Sequence, residues 1–304
     1  MHNIDLRSDT VTLPTKEMLN AISNADLGDD VFQEDPTINR LEKLAAKKFD
    51  KEAALFVPSG TMANLVAVLT HCQRGDEVIL GDQSHTFLYE RGGISAFGGV
   101  HSRQLLNNQD GTMNIEDIKS AIRKVDIHFP PSTLICLENT HNRCSGMPLS
   151  IEYVNSVANL AKNNSMSVHI DGARIFNAEA AIDSSVAEMT KEVESVSFCL
   201  SKGLSAPSGS LLCGTLDFIK KARANRKALG GGMRQAGILA AAGIVALQTM
   251  NDKIIEDHKN AKFLGESISK VNGVKLDYKK IKTNIIYFNL DHPTISSQVL
   301  LDAM

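Results

Sequence analysis

Seven short runs of apolar and β-branched residues alternate with longer amphipathic segments between residues 53 and 213. Each run ends near a Gly, Asp, Ser or Asn residue, as buried strands commonly do. Strands that alternate with amphipathic helices are typical of a mostly parallel sheet whose strands are joined by helical crossovers. The predicted strands are Ala53–Val57, Glu77–Leu80, Val100–Leu105, Thr133–Leu137, Ser167–Ile170, Val196–Leu200 and Ser210–Cys213. We therefore expect an α/β fold with one mostly parallel seven-stranded sheet and helices on both of its faces.

The last part of the chain has a different pattern. From Leu216 to about Ser269 the apolar residues recur at helical spacing, interrupted by Gly230–Gly232. Strand signals then return at Val274–Tyr278 and Asn284–Asn289. The sequence has no internal repeat and no low-complexity linker, so this part is expected to join the sheet closely. We predict a large domain over residues 1–245 and a smaller α+β domain over residues 246–304.

Composition excludes several classes of protein. The 304 residues include 32 Lys and Arg against 35 Asp and Glu, without a basic block, so nucleic acid is not an expected partner. The N-terminus lacks the basic start and apolar stretch of a signal peptide, and no window approaches the ~18 apolar residues of a membrane span. These features predict a cytoplasmic protein. Its cysteines lack a C-x-x-C pattern and lie mostly in apolar runs, which predicts reduced core residues.

A candidate anion site lies where the first predicted strand runs into a helix that begins near Gly60. Ser59, Gly60 and Thr61 would place hydroxyl groups and unpaired N–H groups at this helix start, and the missing side chain of Gly60 would let a phosphate come close. An ordinary N-cap is the alternative interpretation. The sequence has neither a P-loop nor a G-x-G-x-x-G motif that opens a helix, which disfavours nucleotide chemistry.

Three further polar residues follow predicted strands. Asp171 lies at the edge of the sheet where open α/β folds bind ligands, although it could cap the next helix or ligate a metal together with His169. Lys202 could become a neutral amine that condenses with a carbonyl if burial and a cation such as Arg174 lower its pKa. It could instead be a lysine whose stem covers apolar surface. His85 offers a flat imidazole at the end of another strand, where a structural role is also possible.

Taken together, these residues match the needs of one cofactor. The chain order is helix start, His85, Asp171 and Lys202, which is the order in pyridoxal phosphate enzymes of the aminotransferase-like fold. Pyridoxal 5'-phosphate needs a cup for its phosphate, a carboxylate against its pyridine nitrogen, a flat group over its ring and a lysine for its aldehyde. The sequence therefore predicts a pyridoxal phosphate site.

Longer segments resemble one family within that fold. The chain is similar to low-specificity L-threonine aldolases, which have fold type I, in segments that run from the N-terminus to about residue 245. These segments are Leu6–Thr12, His169–Arg174, Ser201–Leu204, Ala206-Pro207 and Gly230–Gln235. The resemblance implies a lyase that cleaves L-threonine, and often L-allo-threonine, to glycine and acetaldehyde.

The resemblance also implies roles for individual residues. Lys202 would hold the cofactor as a Schiff base, Asp171 would pair with the pyridine nitrogen, and His85 would stack on the ring. Ser59, Gly60 and Thr61 would hold the phosphate. The mechanism implied is a retro-aldol cleavage in which a base takes the proton of the β-hydroxyl.

Other matches concern the substrate and the assembly. Ser8 and Arg174 match residues near the substrate carboxylate or the cofactor oxygen, and His128 matches a histidine near the substrate side chain. Arg234 matches an arginine that reaches the phosphate of a neighbouring subunit, and Lys227 lies in the same region. The resemblance therefore implies a homotetramer, built as a dimer of dimers, with shared active sites.

Several alternatives stay open. His85, His128 or a water held between them could be the base. The family has another carboxylate-binding arginine near its C-terminus, and nothing before Met304 resembles that motif. Because a bidentate arginine fixes the geometry of a carboxylate, this departure predicts a chain that binds the cofactor but is a poor aldolase. Other possibilities are a different amino-acid lyase of this fold, such as a β-eliminating lyase, and a cofactor-binding protein with impaired catalysis.

Overall fold

A computed structural model describes residues 4–303 and has a seven-stranded sheet at its centre. The strands are β1 (Ala53–Val57), β2 (Glu77–Gly81), β3 (His101–Leu105), β4 (Ser132–Glu138), β5 (Ser167–Asp171), β6 (Ser195–Cys199) and β7 (Ser210–Gly214). Their order is β1-β7-β6-β5-β4-β2-β3. Only β7 runs against its neighbours, so the other six strands point the same way. The predicted mostly parallel sheet is confirmed, and each predicted strand end lies within one residue of the observed end.

Helices connect these strands and cover both faces of the sheet. They are α1 (Lys16–Ser23), α2 (Pro36–Lys48), α3 (Gly60–His71), α4 (His85–Leu88), α5 (Gly93–Ala96), α6 (Ile115–Ala121), α7 (Ile151–Asn163), α8 (Ile175–Ile182), α9 (Val186–Met189), α10 (Leu216–Ala228), α11 (Gly237–Thr249), α12 (Asn251–Ile268) and α13 (Ser297–Ala303). Side-chain caps begin several of them. At α6 the Asn114 side chain accepts from Glu116 N, and at α7 the Ser150 side chain accepts from Tyr153 N.

The two faces of the central strands differ in polarity because side chains alternate along a strand. One face of β5 and β6 is apolar and joins the main core through Val168, Ile170, Val196 and Phe198. The other face carries His169, Asp171, Ser195 and Ser197. Helix α3 packs on this polar face, and its own Asn64 hydrogen-bonds three of these four side chains. A buried polar layer therefore lies between α3 and the middle of the sheet.

The region after α10 is mostly helical, as predicted, but its strands are shorter than predicted. A two-stranded antiparallel ribbon pairs β8 (Val274–Lys275) with β9 (Asn289–Leu290). The predicted strand Val274–Tyr278 ends early because Asp277 accepts a hydrogen bond from Lys279 N and starts a 3₁₀ turn. The predicted strand Asn284–Asn289 is wrong apart from its last residue. A ribbon with only two strands has little to stabilise a longer ladder.

Helix α11 runs across the predicted domain boundary at residues 245 and 246. Its residues Ala246 and Leu247 still belong to the main core cluster, as does Met250 beyond its end. The division into two domains stays a prediction. Among residues 4–303 no single helix is long and apolar enough to cross a membrane, and α11 and α12 reach that composition only as a pair bent by 67°.

The cysteines conform to their prediction. All five thiols are buried and unpaired, at Cys72, Cys136, Cys144, Cys199 and Cys213. Burial raises the pKa of Cys72 to about 11, so this thiol stays protonated near neutral pH. The cysteines are therefore reduced core residues.

Candidate active site

Polar residues from four parallel strands meet at one edge of the sheet. Ser59–Thr61 follow β1, His85 follows β2, Asp171 ends β5 and Lys202 follows β6. Because these strands run in the same direction, their carboxyl ends lie at the same edge, where open α/β sheets bind ligands. Glu138 ends β4 at this edge as well. The structure therefore brings Ser59–Thr61, His85, Asp171 and Lys202 to one side of the fold.

The start of α3 has the features of an anion site. Ser59 caps the helix, since its Oγ accepts a hydrogen bond of 3.2 Å from Met62 N. The N–H groups of Gly60 and Thr61 have no partner within a helix that starts here, and Ser59 and Thr61 are exposed. A Cβ added to Gly60 would lie 2.7 Å from Cys199 Sγ. Glycine is therefore required for packing, and it also leaves room above the helix start.

The Asp171 carboxylate is buried and accepts one hydrogen bond at each of its oxygens. Its side chain accepts 3.1 Å from Ala173 N and 2.8 Å from Asn64 Nδ2. The bond to Ala173 N closes a local turn, while α8 begins two residues later, at Ile175, without any side-chain cap. Capping of α8 is therefore not its role.

His85 is held by two buried carboxylates. Its Nδ1 lies 3.0 Å from Glu90 Oε1, and its backbone N donates 2.7 Å to Glu138 Oε2. The hydrogen bond that His85 donates to Glu90 raises the pKa of His85, and burial raises the pKa of Glu90. Burial, with the nearby charge of Asp171, raises the pKa of Glu138 to about 7. Such perturbed groups are typical of functional sites.

The atoms of His85, Glu90 and Asp171 that could ligate a metal lie within 4.8 Å of one another. Asn64 Nδ2 donates to both carboxylates, 2.9 Å to Glu90 and 2.8 Å to Asp171. Proton donors thus point into the space between the carboxylates. The Asn64 amide therefore donates hydrogen bonds to the carboxylate oxygens that a metal ion would use, which disfavours a cation at this position. His169, which the sequence left open as a metal ligand beside Asp171, hydrogen-bonds Asn64 and Ser195 in the structure.

Lys202 lies beside the N-terminal segment. Its carbonyl accepts 2.8 Å from Thr12 Oγ1 and 2.8 Å from Ser205 N, which fixes the backbone of the turn that carries the amine. The hydrogen bonds and charge of Arg174 lower the pKa of Asp9, and the charge of Lys202 adds to this effect. The lysine is half-buried at the sheet edge, which leaves its amine within reach of a ligand.

Arg174 and Ser8 come together through Asp9. The Arg174 guanidinium donates from Nε and Nη2 to the two oxygens of Asp9, each at 2.7 Å. Ser8 precedes Asp9 and is exposed, and its Oγ accepts from Thr10 N at 3.2 Å. Asp9 thus accepts from two N–H groups of Arg174 and holds the guanidinium next to the segment that contains Ser8.

Three predicted residues lie apart from this cluster. His128 is exposed and bonds Asp126 at 2.7 Å, and Arg234 is exposed and bonds Asp29 at 2.9 Å. Lys227 is exposed on α10. Within the described residues of this single chain, the hydrogen bonds and ion pairs of His128 and Arg234 do not reach the cluster.

Sequence reasoning missed four residues of the cluster, namely Asp9, Asn64, Glu90 and Glu138. Glu138 directly follows a predicted strand, so the argument that identified Asp171 applies to it equally. Asn64 could have been found from the polar residues that alternate along two buried strands, because those residues require a polar partner. Glu90 lies in a short loop and has no signal of its own in the sequence.

Comparisons with known proteins show which family the chain belongs to. The model of the β-eliminating lyase family matches residues 5–291. The probable low-specificity L-threonine aldolase 2 of Arabidopsis thaliana is 51% identical over 293 residues, which cover 95% of this chain and 82% of the relative. The low specificity L-threonine aldolase of Escherichia coli K12 is 45% identical over 284 residues, with coverages of 93% and 84%.

A solved structure has the same fold. The crystal structure of a putative L-allo-threonine aldolase from Listeria monocytogenes superimposes with a TM-score of 0.77 at 24% identity, covering 88% of this chain and 73% of that chain. The sequence matches extend over most of both chains and identify the family without reference to this superposition. The chain is therefore a lyase that belongs to the β-eliminating lyase family, among the low-specificity L-threonine aldolases.

Proposed function

We propose that this protein cleaves L-threonine and L-allo-threonine to glycine and acetaldehyde with pyridoxal 5'-phosphate bound at the carboxyl edge of the sheet. One observation carries the proposal: the buried Asp171 carboxylate lies at the edge shared by the open start of α3, by His85 and by Lys202. The names of the similar proteins support the choice of substrate.

The donor set fits the cofactor. The free N–H groups at the start of α3 suit a phosphate, and the buried Asp171 suits a protonated ring nitrogen. His85 offers a flat ring, and Lys202 offers an amine for the aldehyde. When bound, pyridoxal phosphate supplies a ring that accepts the electrons of the bond being cleaved.

The substrate needs a clamp and a base. Ser8 and the remaining N–H donors of Arg174 would bind the substrate carboxylate, which fixes the angle of the Cα–Cβ bond. Glu90 accepts a hydrogen bond from His85 Nδ1 and so leaves Nε2 to exchange a proton with the β-hydroxyl. We therefore assign His85 as the base, and His128 of a neighbouring copy, or a water, as the alternative.

We also propose that the active sites are shared in a homotetramer. Arg234, Lys227 and His128 are exposed, which leaves them free to serve a neighbour. Lys227 and three other cations, Lys220, Arg223 and Arg226, line a pocket of about 230 Å³. Arg223 and Arg226 are paired with Glu42 and Asp30, so Lys220 and Lys227 are the cations of this pocket that suit contact with a partner's anionic group.

The function is tested by absorption spectroscopy and product analysis. The purified protein mixed with pyridoxal phosphate should gain a visible band that changes on addition of L-threonine, and glycine and acetaldehyde should appear in equal amounts. Pyruvate and ammonia would identify a β-eliminating lyase instead. Lys202→Ala should remove the band and the activity, and Lys202→Arg serves as the charge-matched control. A borohydride-reducible bond that survives in Lys202→Ala would contradict the role of Lys202.

The assembly is tested by mixing two inactive variants. If Arg234 serves a neighbouring site, co-refolded Lys202→Ala and Arg234→Ala chains form hybrid dimers in which one site has both residues. Random mixing should restore about a quarter of the native activity. No recovery, in mixtures that sediment as native-sized oligomers, would place Arg234 in its own chain's site or in none.

A further inference from the structure

Helix α3 covers a patch of four polar side chains on two neighbouring strands. His169 lies opposite Ser195 in the register of β5 and β6, and Asp171 lies opposite Ser197. All four are buried, with at most 4% of their surface exposed. A central strand under a helix is normally apolar, and buried polar groups are unfavourable unless each one is hydrogen-bonded. The hydrogen bonds of these four side chains therefore indicate which group the patch holds in place.

Asn64 lies at the centre of this patch with every hydrogen-bonding position in use. Its Nδ2 donates 2.8 Å to Asp171 and 2.9 Å to Glu90. Its Oδ1 accepts 2.8 Å from Ser197 Oγ and lies 3.2 Å from His169 Nε2. The reverse orientation of the amide would point an oxygen at two carboxylates that can only accept, so the orientation is fixed.

The hydrogen bonds beyond Asn64 form a chain in which each group donates toward Asn64. Because Asn64 Oδ1 can only accept, His169 must carry its proton on Nε2, and its Nδ1 then accepts from Ser195 Oγ at 2.9 Å. Ser195 Oγ in turn accepts from His71 Nε2 at 2.8 Å. His71 ends α3 and stacks on Phe218 with 4.5 Å between ring centroids.

Both histidines of this chain are neutral. Burial lowers the pKa of His169 to about 4 and that of His71 to about 3. A cation beside Asp171 would compete with a ligand for its charge, whereas neutral donors hold the carboxylate and leave its charge available. The chain thus fixes the position of Asp171 without neutralising it.

Helix α3 also links this chain to the phosphate site. Asn64 lies one turn after Gly60 and Thr61, so a single rigid helix presents both the anion site and the donor to Asp171. The same amide bonds Glu90, which bonds His85. Asn64 therefore connects three groups: the start of α3, proposed to bind the phosphate; Asp171, proposed to bind the ring nitrogen; and His85, proposed to lie on the face of the ring.

We infer that Asn64 is a positioning residue for Asp171, locked by the chain of His169, Ser195 and His71, and that it tunes the reactivity of the bound cofactor. This inference rests on the proposed function. Loosening the chain should let the Asp171 carboxylate turn away from the ring nitrogen. The affinity for substrate should change little, because Ser8 and Arg174 lie outside the chain.

The test compares variants of the middle of the chain in the holoenzyme. Ser195→Ala removes the donor to His169, and His169→Leu removes the donor to Asn64. Each variant should lower kcat for L-threonine about 10-fold and leave KM nearly constant. Losses of about this size are typical when a residue that orients a ligand-binding side chain is removed. The visible band of the bound pyridoxal phosphate should also shift in wavelength or in the pH at which it titrates. His169→Gln keeps one hydrogen-bond donor for Asn64 and one acceptor for Ser195. It should therefore have nearly the native kcat and the native visible band.

Thr190→Val is the matched control, since Thr190 follows the last residue of α9 and its fully buried hydroxyl donates to Val186 O in the same helix. It should lower the melting temperature without changing the spectrum or kcat. The inference is overturned if Ser195→Ala and His169→Leu behave in the same way, losing stability alone. If His169→Leu does not fold, Ser195→Ala decides. A native protein that shows no visible band or makes no acetaldehyde refutes the proposed function instead.

Discussion

The carboxylate of Asp9 and the guanidinium of Arg174 form a two-bond ion pair that joins residues 165 positions apart, with both bonds at 2.7 Å. Both side chains are nearly inaccessible, with 7% and 9% exposed. Asn284 adds a bond of 3.2 Å to the same carboxylate. Three distant parts of the chain are thus fixed to one another beside Lys202.

Asp9→Ala should be strongly destabilising because it leaves the Arg174 charge buried without its partner. We expect a loss of about 3–5 kcal/mol in the free energy of unfolding, and a higher KM for L-threonine. Denaturant unfolding and steady-state kinetics measure the two effects. Asp5→Ala is the control, since Asp5 makes the same kind of pair with Arg7 at an exposed site. Equal unfolding curves for the native protein and Asp9→Ala would refute the importance of the pair.

The same pair should respond to acid. Burial alone would raise the pKa of Asp9, but the hydrogen bonds and charge of Arg174 outweigh it, so the pKa is lowered. The stabilisation is therefore complete above the ordinary carboxyl pKa of about 3.9 and is lost as the pH falls through the lowered value. Asp9→Asn should unfold less steeply with acid over that range than the native protein does.

Gly60 should be intolerant of a side chain for two separable reasons. In Gly60→Ala the new Cβ would lie 2.7 Å from Cys199 Sγ, and crowding of this kind costs about 1–3 kcal/mol. It would also narrow the space over the proposed phosphate site. Adding Cys199→Ala should restore the melting temperature but not the affinity for pyridoxal phosphate, as measured by spectroscopic titration. Recovery of both in the double variant would show that Gly60 serves packing alone.

The sheet could be predicted from sequence, and the hydrogen bonds of the site could not. The strands are encoded locally, because runs such as Val196–Leu200 carry their own period and composition. Residues at strand ends, such as Asp171 and Lys202, could also be predicted, since a parallel sheet brings such ends to one edge. Asn64 and Glu90 act through partners that are distant in sequence. Their roles depend on which helix covers which strand, and a local sequence pattern does not predict this packing.

The exposed elements were the least predictable. The strand expected over Asn284–Asn289 has β-type residues, but it has only one neighbour to pair with, so two residues form the ladder. His128, Arg234 and Lys227 were identified by resemblance, and a single chain gives them no partner from the cluster. Their roles depend on an assembly, which one sequence does not specify.

Glu138 should make stability fall as the pH rises. Its pKa is raised from 4.5 to about 7, chiefly by burial, so the folded protein binds this proton more tightly than the unfolded chain does. The stabilisation is complete below about pH 4.3 and is lost as the pH rises through about 7. Glu138→Gln should flatten the apoprotein's stability profile by about 2–3 kcal/mol between about pH 5 and pH 7. Parallel profiles for the two proteins would contradict the raised pKa.

Arg226 and Asp30 form a second buried pair, below the start of α3. Arg226 is 2% exposed and Asp30 is 1% exposed, with 2.7 Å between Nη2 and Oδ2. Arg226 Nη1 also donates 2.7 Å to Phe56 O, in the strand that leads to Ser59. The pair therefore holds the end of β1, and with it the proposed phosphate site.

Removing one partner of this pair should cost far more than removing both. Arg226→Met leaves the Asp30 charge buried, with Arg223 3.7 Å away as its remaining cation, and should cost about 3–5 kcal/mol of unfolding free energy. Asp30→Asn in the Arg226→Met background removes that stranded charge, so the double variant should be more stable than Arg226→Met alone. Denaturant unfolding of the native protein, both single variants and the double variant gives the coupling energy, which we expect to be about 2–3 kcal/mol. A coupling near zero would mean that Arg226 stabilises β1 through Phe56 alone.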